Sequence, residues 1–190
     1  MALIRVAGLD GSLRNFGTAL MTLDTVSMEL KVDDLILTKT KKSAVKQVRI
    51  SSDYMDAALI IRDTVDPALR AFNPAAIFVE VPSGGQDYKA VMGFGIVIGL
   101  YASLHIRPTE VSPSETKQAA VGTKTASKEE MIEWAFERFP DAKWLTRKLK
   151  GKIVPIKDNQ HLADAVAIAH AGICLPVFKQ SLAIINSRAA

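Results

Sequence analysis

The apolar positions of this chain follow two periods. Residues 3–9 (Leu-Ile-Arg-Val-Ala-Gly-Leu) are almost continuously apolar and read as a buried strand. Gly11-Ser12 supplies a turn, residues 16–23 read as a second strand and residues 27–38 as a third. The short links between them predict an antiparallel meander. Residues 39–46 are a polar, basic connector. Over residues 51–72 the period changes: Tyr54, Ala57, Ala58, Ile61, Val65 and Leu69 fall near one helical face. Pro67 is expected to kink this helix or restart it after Asp66, and Asn73-Pro74 ends it. Residues 75–81 are a short apolar run, as expected at the centre of a sheet covered on both sides. A loop at Pro82-Ser83-Gly84-Gly85, a helix over 87–104 and a short strand near 107–111 follow.

Two further helix starts carry their own punctuation. Ser112-Pro113-Ser114-Glu115 and Ser127-Lys128-Glu129-Glu130 are both capping-box patterns, the first with Pro at the first helical position. Met131, Ile132, Ala135, Phe136 and Phe139 continue the second helix, which Pro140 ends. Residues 141–157 are basic and turn-rich, with no clear period. A last apolar helix, capped by Asp158 or Asn159, is expected to run to about Gly172. The order is three antiparallel strands, helix, strand, helix, strand, helices. It predicts an α/β protein with a mixed five-stranded sheet flanked by helices.

Against this pattern four polar residues are misplaced. Asp10 ends the first apolar run, Glu80 ends the central one, and His161 and Asp164 open the last helix among Leu, Ala, Val and Ile. A carboxylate set against apolar core is costly unless it is paired or bound to a metal. Asp10 and Glu80 end strands that would lie side by side, and sites in α/β sheets gather at carboxyl ends of strands. His161 and Asp164 are three apart and share a helix face. A cluster of three carboxylates and one imidazole suits Mg²⁺ or Mn²⁺. Two such ions activate water and stabilise a leaving oxygen in phosphodiester hydrolysis.

Bulk properties narrow the partners without choosing one. The 190 residues fit one domain, 1–190, and 48% apolar content supports a real core. The net charge of +4 and pI of about 9.2 permit a nucleic-acid partner. No run has the length of a membrane span and no signal peptide is visible at the start, so a cytoplasmic protein is expected. The one cysteine, Cys174, excludes an internal disulfide and reads as a buried small hydrophobe. Lys143, Arg147, Lys148, Lys150, Lys152 and Lys157 put six cations in fifteen residues, suited to phosphate contacts.

The stretch Gly8-Leu9-Asp10-Gly11-Ser12-Leu13-Arg14-Asn15-Phe16-Gly17-Thr18-Ala19 resembles the opening of the RuvC Holliday-junction resolvases, within the RNase H-like superfamily. Phe78-Val79-Glu80, the stretch 114–122 followed by Ser127-Lys128, and the ending 161–169 resemble the same family in the same order. The resemblance implies an RNase H-like nuclease domain that resolves four-way junctions by paired symmetric nicks. It makes Asp10, Glu80, His161 and Asp164 metal-binding catalytic residues and sets Lys117 and Lys128 near the scissile phosphate. Lys124, Arg147, Lys148, Lys150 and Lys152 join Lys117 and Lys128 as expected DNA contacts. It also implies a homodimer and, because compact relatives occur in bacteriophages, a place in the host cytoplasm. Two features depart from the family: the basic insertion at 141–157, and a glycine-rich loop after Glu80 where an aromatic often probes the junction, with Tyr88 the nearest candidate.

Plainer readings accompany these. Asp10 alone is a good turn former and Glu80 a strand end facing solvent. His105 and His170 read as structural, Asp158 as a cap, and Trp144 as packed on its own domain. Gly93, Gly95 and Gly99 serve either tight packing on the sheet or close approach of two helices in a dimer. A broader flap-DNA or RNA-hybrid nuclease would use the same site. An actin-like ATPase also opens with an acid, a glycine and a serine, but needs a second glycine-rich loop opening a partner strand after Glu80.

Overall fold

Strands β1 (Leu3–Asp10), β2 (Asn15–Asp24) and β3 (Leu30–Lys39) form the expected antiparallel meander. The computed structural model describes residues 3–45, 47–82, 84 and 87–189, with side chains as far as Ile184. The loop reading at 82–85 and the basic connector ending at Lys46 therefore lie partly outside the described residues. β4 (Ala76–Glu80) pairs with β1 in parallel, and β5 (Thr109–Glu110) pairs with β4, giving the order β3-β2-β1-β4-β5. The mixed five-stranded sheet matches the expectation, with strand bounds displaced by up to three residues.

Side chains alternate across a strand, so each sheet face acquires its own core. Ala7, Leu9, Leu20, Ile77 and Val79 face α1 (Ile50–Phe72) and α2 (Tyr88–Ala102). Val6, Ala19, Met21, Leu23 and Phe78 face α5 (Asn159–Cys174), with α6 (Pro176–Ala189) beyond it. α3 (Pro113–Val121) and α4 (Lys128–Arg138) pack beside α5 through Ala126, Met131 and Ala167. Both capping boxes are formed.

α1 continues through Pro67 as one element instead of restarting. Pro67 sits on the exposed side, where the carbonyl it frees meets water. Asn73 ends the helix in the left-handed region, its N–H donating to the Leu69 carbonyl. α6 is an addition: the spacing predicts a last helix to about Gly172 and gives no reading of the residues beyond it. Its Phe178 meets Phe78 edge-on at 5.3 Å, and Leu182 is buried against the same core. Cys174 is exposed, because α5 ends there and its last turn carries that side chain off the core. Residues 141–157 contain a two-stranded hairpin, β6 (Thr146–Leu149) with β7 (Lys152–Pro155), separate from the main sheet.

α5 lies unusually close to the sheet, and the sequence arranges this from both sides. Ala163, Ala165, Ala167, Ala169 and Ala171 are all buried. On the sheet, a Cβ at Gly8 would run into the Ala165 carbonyl and the Ala169 side chain. One at Gly17 would run into the His161 carbonyl. No single helix among the described residues is long and apolar enough to cross a membrane. α5 and α6 pass such a test only together, across a 60° bend, and α5 is core.

Candidate active site

The register of β1 and β4 sets Asp10 directly beside Glu80 at the carboxyl ends of two parallel strands. Val6 and Phe78 face α5, so by alternation Asp10 and Glu80 face it too. α5 brings His161 and Asp164 to this face. The His161 Nδ1 lies 3.1 Å from Asp10 Oδ2, and the Gln160 amide nitrogen lies 3.1 Å from its Nε2. An amide nitrogen only donates, so Nε2 accepts and Nδ1–H donates to Asp10. Asp10, Glu80 and Asp164 line one cavity of about 280 Å³ together with Thr116, Lys117 and Lys128.

The supports of this cavity come from far apart in the chain. The capping boxes at Ser112 and Ser127 fix the first turns of α3 and α4, and with them Lys117 and Lys128. Lys39 at the end of β3 pairs with Asp158 at 2.7 Å, tying down the start of α5. Asp158 occupies the cap position, but its side chain serves this ion pair and makes no cap hydrogen bond. Asn159 is buried and bonds the Leu145 backbone twice, accepting from its N–H at 2.9 Å and donating to its carbonyl at 2.8 Å. Behind the sheet, the buried Tyr101 hydroxyl donates to the Leu9 carbonyl at 3.3 Å. Burial first, and the Asp10 charge second, hold that phenol well above its usual range.

The carboxylates perturb one another. Burial, then the charge of Asp10, pushes Glu80 up to about 7 against the pull of Lys117. Burial, then Asp10 and Glu80, pushes Asp164 up to about 7, opposed by His161 and Lys128. Such crowding of acids that repel one another is typical of functional sites. A divalent cation would relieve it, and three carboxylates with an imidazole form a donor set suited to a hard ion. Among the described residues no three of these side chains close into a ready coordination cage; Asp10 and His161 face each other instead.

The other expected site residues divide. Lys117 and Lys128 line the acidic cavity. Lys124 does not, and lines a separate hollow with Ser114, Gln118 and Cys174. Arg147, Lys148, Lys150 and Lys152 stand exposed on the β6–β7 hairpin. Tyr88 is exposed at the start of α2 with the Lys89 ammonium 5.7 Å over its ring. Trp144 packs on Phe136 at 4.7 Å and donates Nε1–H to the Phe139 carbonyl, which is a structural role. His170 packs on Trp134, and its burial lowers its pKa; His105 lies 3.8 Å from Asp66. Neither histidine reaches the cavity. Among the described residues the element that follows Glu80 is α2, not the partner strand that the phosphate loop of an actin-like ATPase would open.

Sequence reasoning passed over Tyr101 and Thr116, and read Asn159 only as an alternative cap for the last helix. Tyr101 carried a signal, since a tyrosine on an apolar helix needs a partner for its hydroxyl. Asn159 carried none, because its partner is set by how residues 141–157 fold.

This architecture is the RNase H-like class: a mixed sheet with acids at the ends of β1 and β4 and a closing helix. Within that class the fold is that of the RuvC-type Holliday junction resolvases. Thermus thermophilus RuvC, in complex with a Holliday junction substrate, superposes with a TM-score of 0.65 at 22% identity, covering 88% of this chain and 92% of that one. The yeast mitochondrial resolvase Ydc2 superposes at 0.57 with 15% identity, over 94% of this chain and 82% of its own. The fowlpox virus resolvase, bound to Holliday junction DNA, superposes at 0.50 with 13% identity, over 94% and 99%. No family model and no curated sequence matches the chain.

Proposed function

We propose that this protein is a divalent-metal-dependent endonuclease that cuts branched DNA, with the four-way junction as its substrate. The observation that carries the reading is the in-register pair Asp10–Glu80, facing the helix that delivers His161 and Asp164, on a fold shared with junction resolvases. Asp10, Glu80, Asp164 and His161 would hold Mg²⁺ or Mn²⁺, two ions per site. When bound, such ions supply an activated water and stabilise the leaving oxygen of a phosphodiester.

The chain's own residues do the rest. Lys117 and Lys128 set two positive charges in the same cavity as the acids, where a phosphate is drawn in. His161 stands between Gln160 and Asp10, contacts that one ring nitrogen would give up on ligating the metal. Tyr101 anchors the backbone one residue before Asp10, and Gly11 leaves its hydroxyl the room to do so.

Paired nicks require two sites, and α2 offers a face for a second copy. Val91, Met92 and Ile98 are exposed there, and Gly95 and Gly99 have open space where a Cβ would stand. Tight packing on the sheet therefore does not account for those two glycines, and Gly93 alone is buried. We assign this face to the dimer interface. Ile98→Lys is expected to convert a dimer into a monomer in analytical ultracentrifugation; unchanged sedimentation would move the interface elsewhere.

The deciding assay incubates the protein with a labelled four-way junction and Mg²⁺ or Mn²⁺. Two symmetric nicks are expected, and Asp10→Asn is expected to bind the junction and fold normally while losing at least ~10³-fold in rate. Wild-type cutting by Asp10→Asn would remove Asp10 from the site. Equal turnover on flap, three-way or RNA-hybrid substrates would favour the broader nuclease on the same fold.

A further inference from the structure

The β6–β7 hairpin has a composition that its own protein does not use. Every residue of β6 is exposed, and in β7 only Val154 is partly buried. An isolated two-stranded hairpin is at best marginally stable in water, so this one depends on its turn and its base. The turn is a tight pair, Lys150 at φ 49° and Gly151 at φ 79°, of the kind that matches strand twist. At the base the Ile156 N–H donates to the Leu145 carbonyl at 3.1 Å, and Asn159 clamps the same residue. The result is a ribbon reaching roughly 13 Å at ~3.3 Å per residue, anchored next to the helix that carries His161.

The register decides what each side of the ribbon presents. Lys148 pairs with Ile153, and Leu149 pairs with Lys152. Cross-strand partners share a face and successive residues alternate. One face therefore carries Lys148 with Ile153, and the other carries Lys152 with Leu149. Ile153 is 70% exposed and Leu149 48%. A flap that closes on its own protein would have one apolar and one polar face. This ribbon has two alike, each a cation beside an apolar group, and no acid lies between Thr146 and Lys157. A cation takes a phosphate, and an apolar side chain beside it packs on sugar or wedges against an unstacked base.

We propose that the hairpin stands between two arms of branched DNA, one arm against each face, and holds the branch point open. This rests on the nuclease reading and names the element that separates branched from linear substrate.

The test uses the full-length Asp10→Asn protein in EDTA, so that binding is read without cutting. The DNA probes are a four-way junction with 2-aminopurine beside the branch point and a linear duplex of the same sequence. Leu149→Ser/Ile153→Ser is expected to lower junction affinity about 10-fold, leave duplex affinity within about 2-fold, and abolish the 2-aminopurine rise on binding. Because both side chains face solvent, circular dichroism should be unchanged. Lys148→Ala/Lys152→Ala is expected to weaken both DNAs. Equal losses on junction and duplex with the apolar variant, an unchanged 2-aminopurine signal, or a shift in oligomeric state by sedimentation would overturn the proposal. Nicking by the wild type with Mg²⁺ is scored separately. Junction-specific losses without any nicking would sink the nuclease reading and keep the branch-holding role; nicking without those losses would do the reverse.

Discussion

The β6–β7 hairpin and helix α5 are separated by three residues in the chain, and they hold charge in opposite ways. On the hairpin, four cations stand in water on a ribbon whose residues are all exposed but the partly buried Val154. On α5, Asp164 is set among buried alanines, within the field of Asp10 and Glu80, at a cost that its raised pKa measures. An exposed charge costs little to keep and little to lose, and is free to meet a partner outside the molecule. A buried, crowded charge costs stability in the free protein and returns it only when a cation that neutralises the cluster's excess arrives. On the proposed function, cavity and ribbon are complementary halves of one substrate surface.

The sharpest way to break the comparison is to move α5 off the sheet. Gly8→Ala would drive a Cβ into the Ala165 carbonyl, which is backbone and does not yield. The expected cost is about 3 kcal/mol or more, read by urea unfolding, with cleavage lost in whatever protein remains folded. A folded, fully active Gly8→Ala protein would mean that the close seat of α5 is not what assembles the site.

That seat also separates what the sequence discloses from what it hides. The apolar runs at 3–9 and 75–81 and the two capping boxes mark β1, β4, α3 and α4 through local chemistry alone. Asp10, Glu80 and Asp164 were legible because each breaks an apolar pattern that its neighbours keep. The hairpin was not, since its strands lack a buried face and so lack a period. α6 was missed because only Phe178 and Leu182 of its visible face reach the core, too few for an obvious stripe. Cys174 was misjudged, and Asp158 stands at the cap but spends its side chain on Lys39, because exposure and ion pairing depend on where a helix stops and what lies opposite.

A smaller effect measures the cost on α5 directly. Asp164 is near 3.8 when unfolded and is raised to about 7 in the fold. Between these values the folded state holds a proton that the unfolded state has lost, so stability falls as pH rises from about 4 to 7 and is flat above. At ~1.4 kcal/mol per pH unit the penalty in metal-free protein at pH 8 is up to about 4 kcal/mol. Asp164→Asn removes it. In EDTA the variant should melt close to the parent at pH 4 and about 5–10 °C above it at pH 8. Added Mg²⁺ should then raise the Tm of the parent and not that of the variant. A variant that melts below the parent at pH 8 would show that Asp164 is paired within the fold, and the contrast with the hairpin would fail.

The smallest effect on stability belongs to the hairpin, where the readout is salt instead. Removing Lys148 and Lys152 takes away two exposed cations with no ion pair among the described residues. Unfolding free energy should change by less than about 0.5 kcal/mol. If each lysine neutralises one phosphate, the slope of log affinity against log salt should fall by about 2 for duplex arms. The acidic cavity offers the internal control: Asp164→Asn removes a carboxylate near the same DNA and should leave that slope nearly unchanged, because that carboxyl, raised to about 7, is partly protonated at neutral pH and shares its cavity with Lys128. An unaltered slope in the lysine variant would mean that the ribbon's cations never reach the backbone. The complementarity would then reduce to the cavity alone, with Lys117 and Lys128 as its only phosphate contacts.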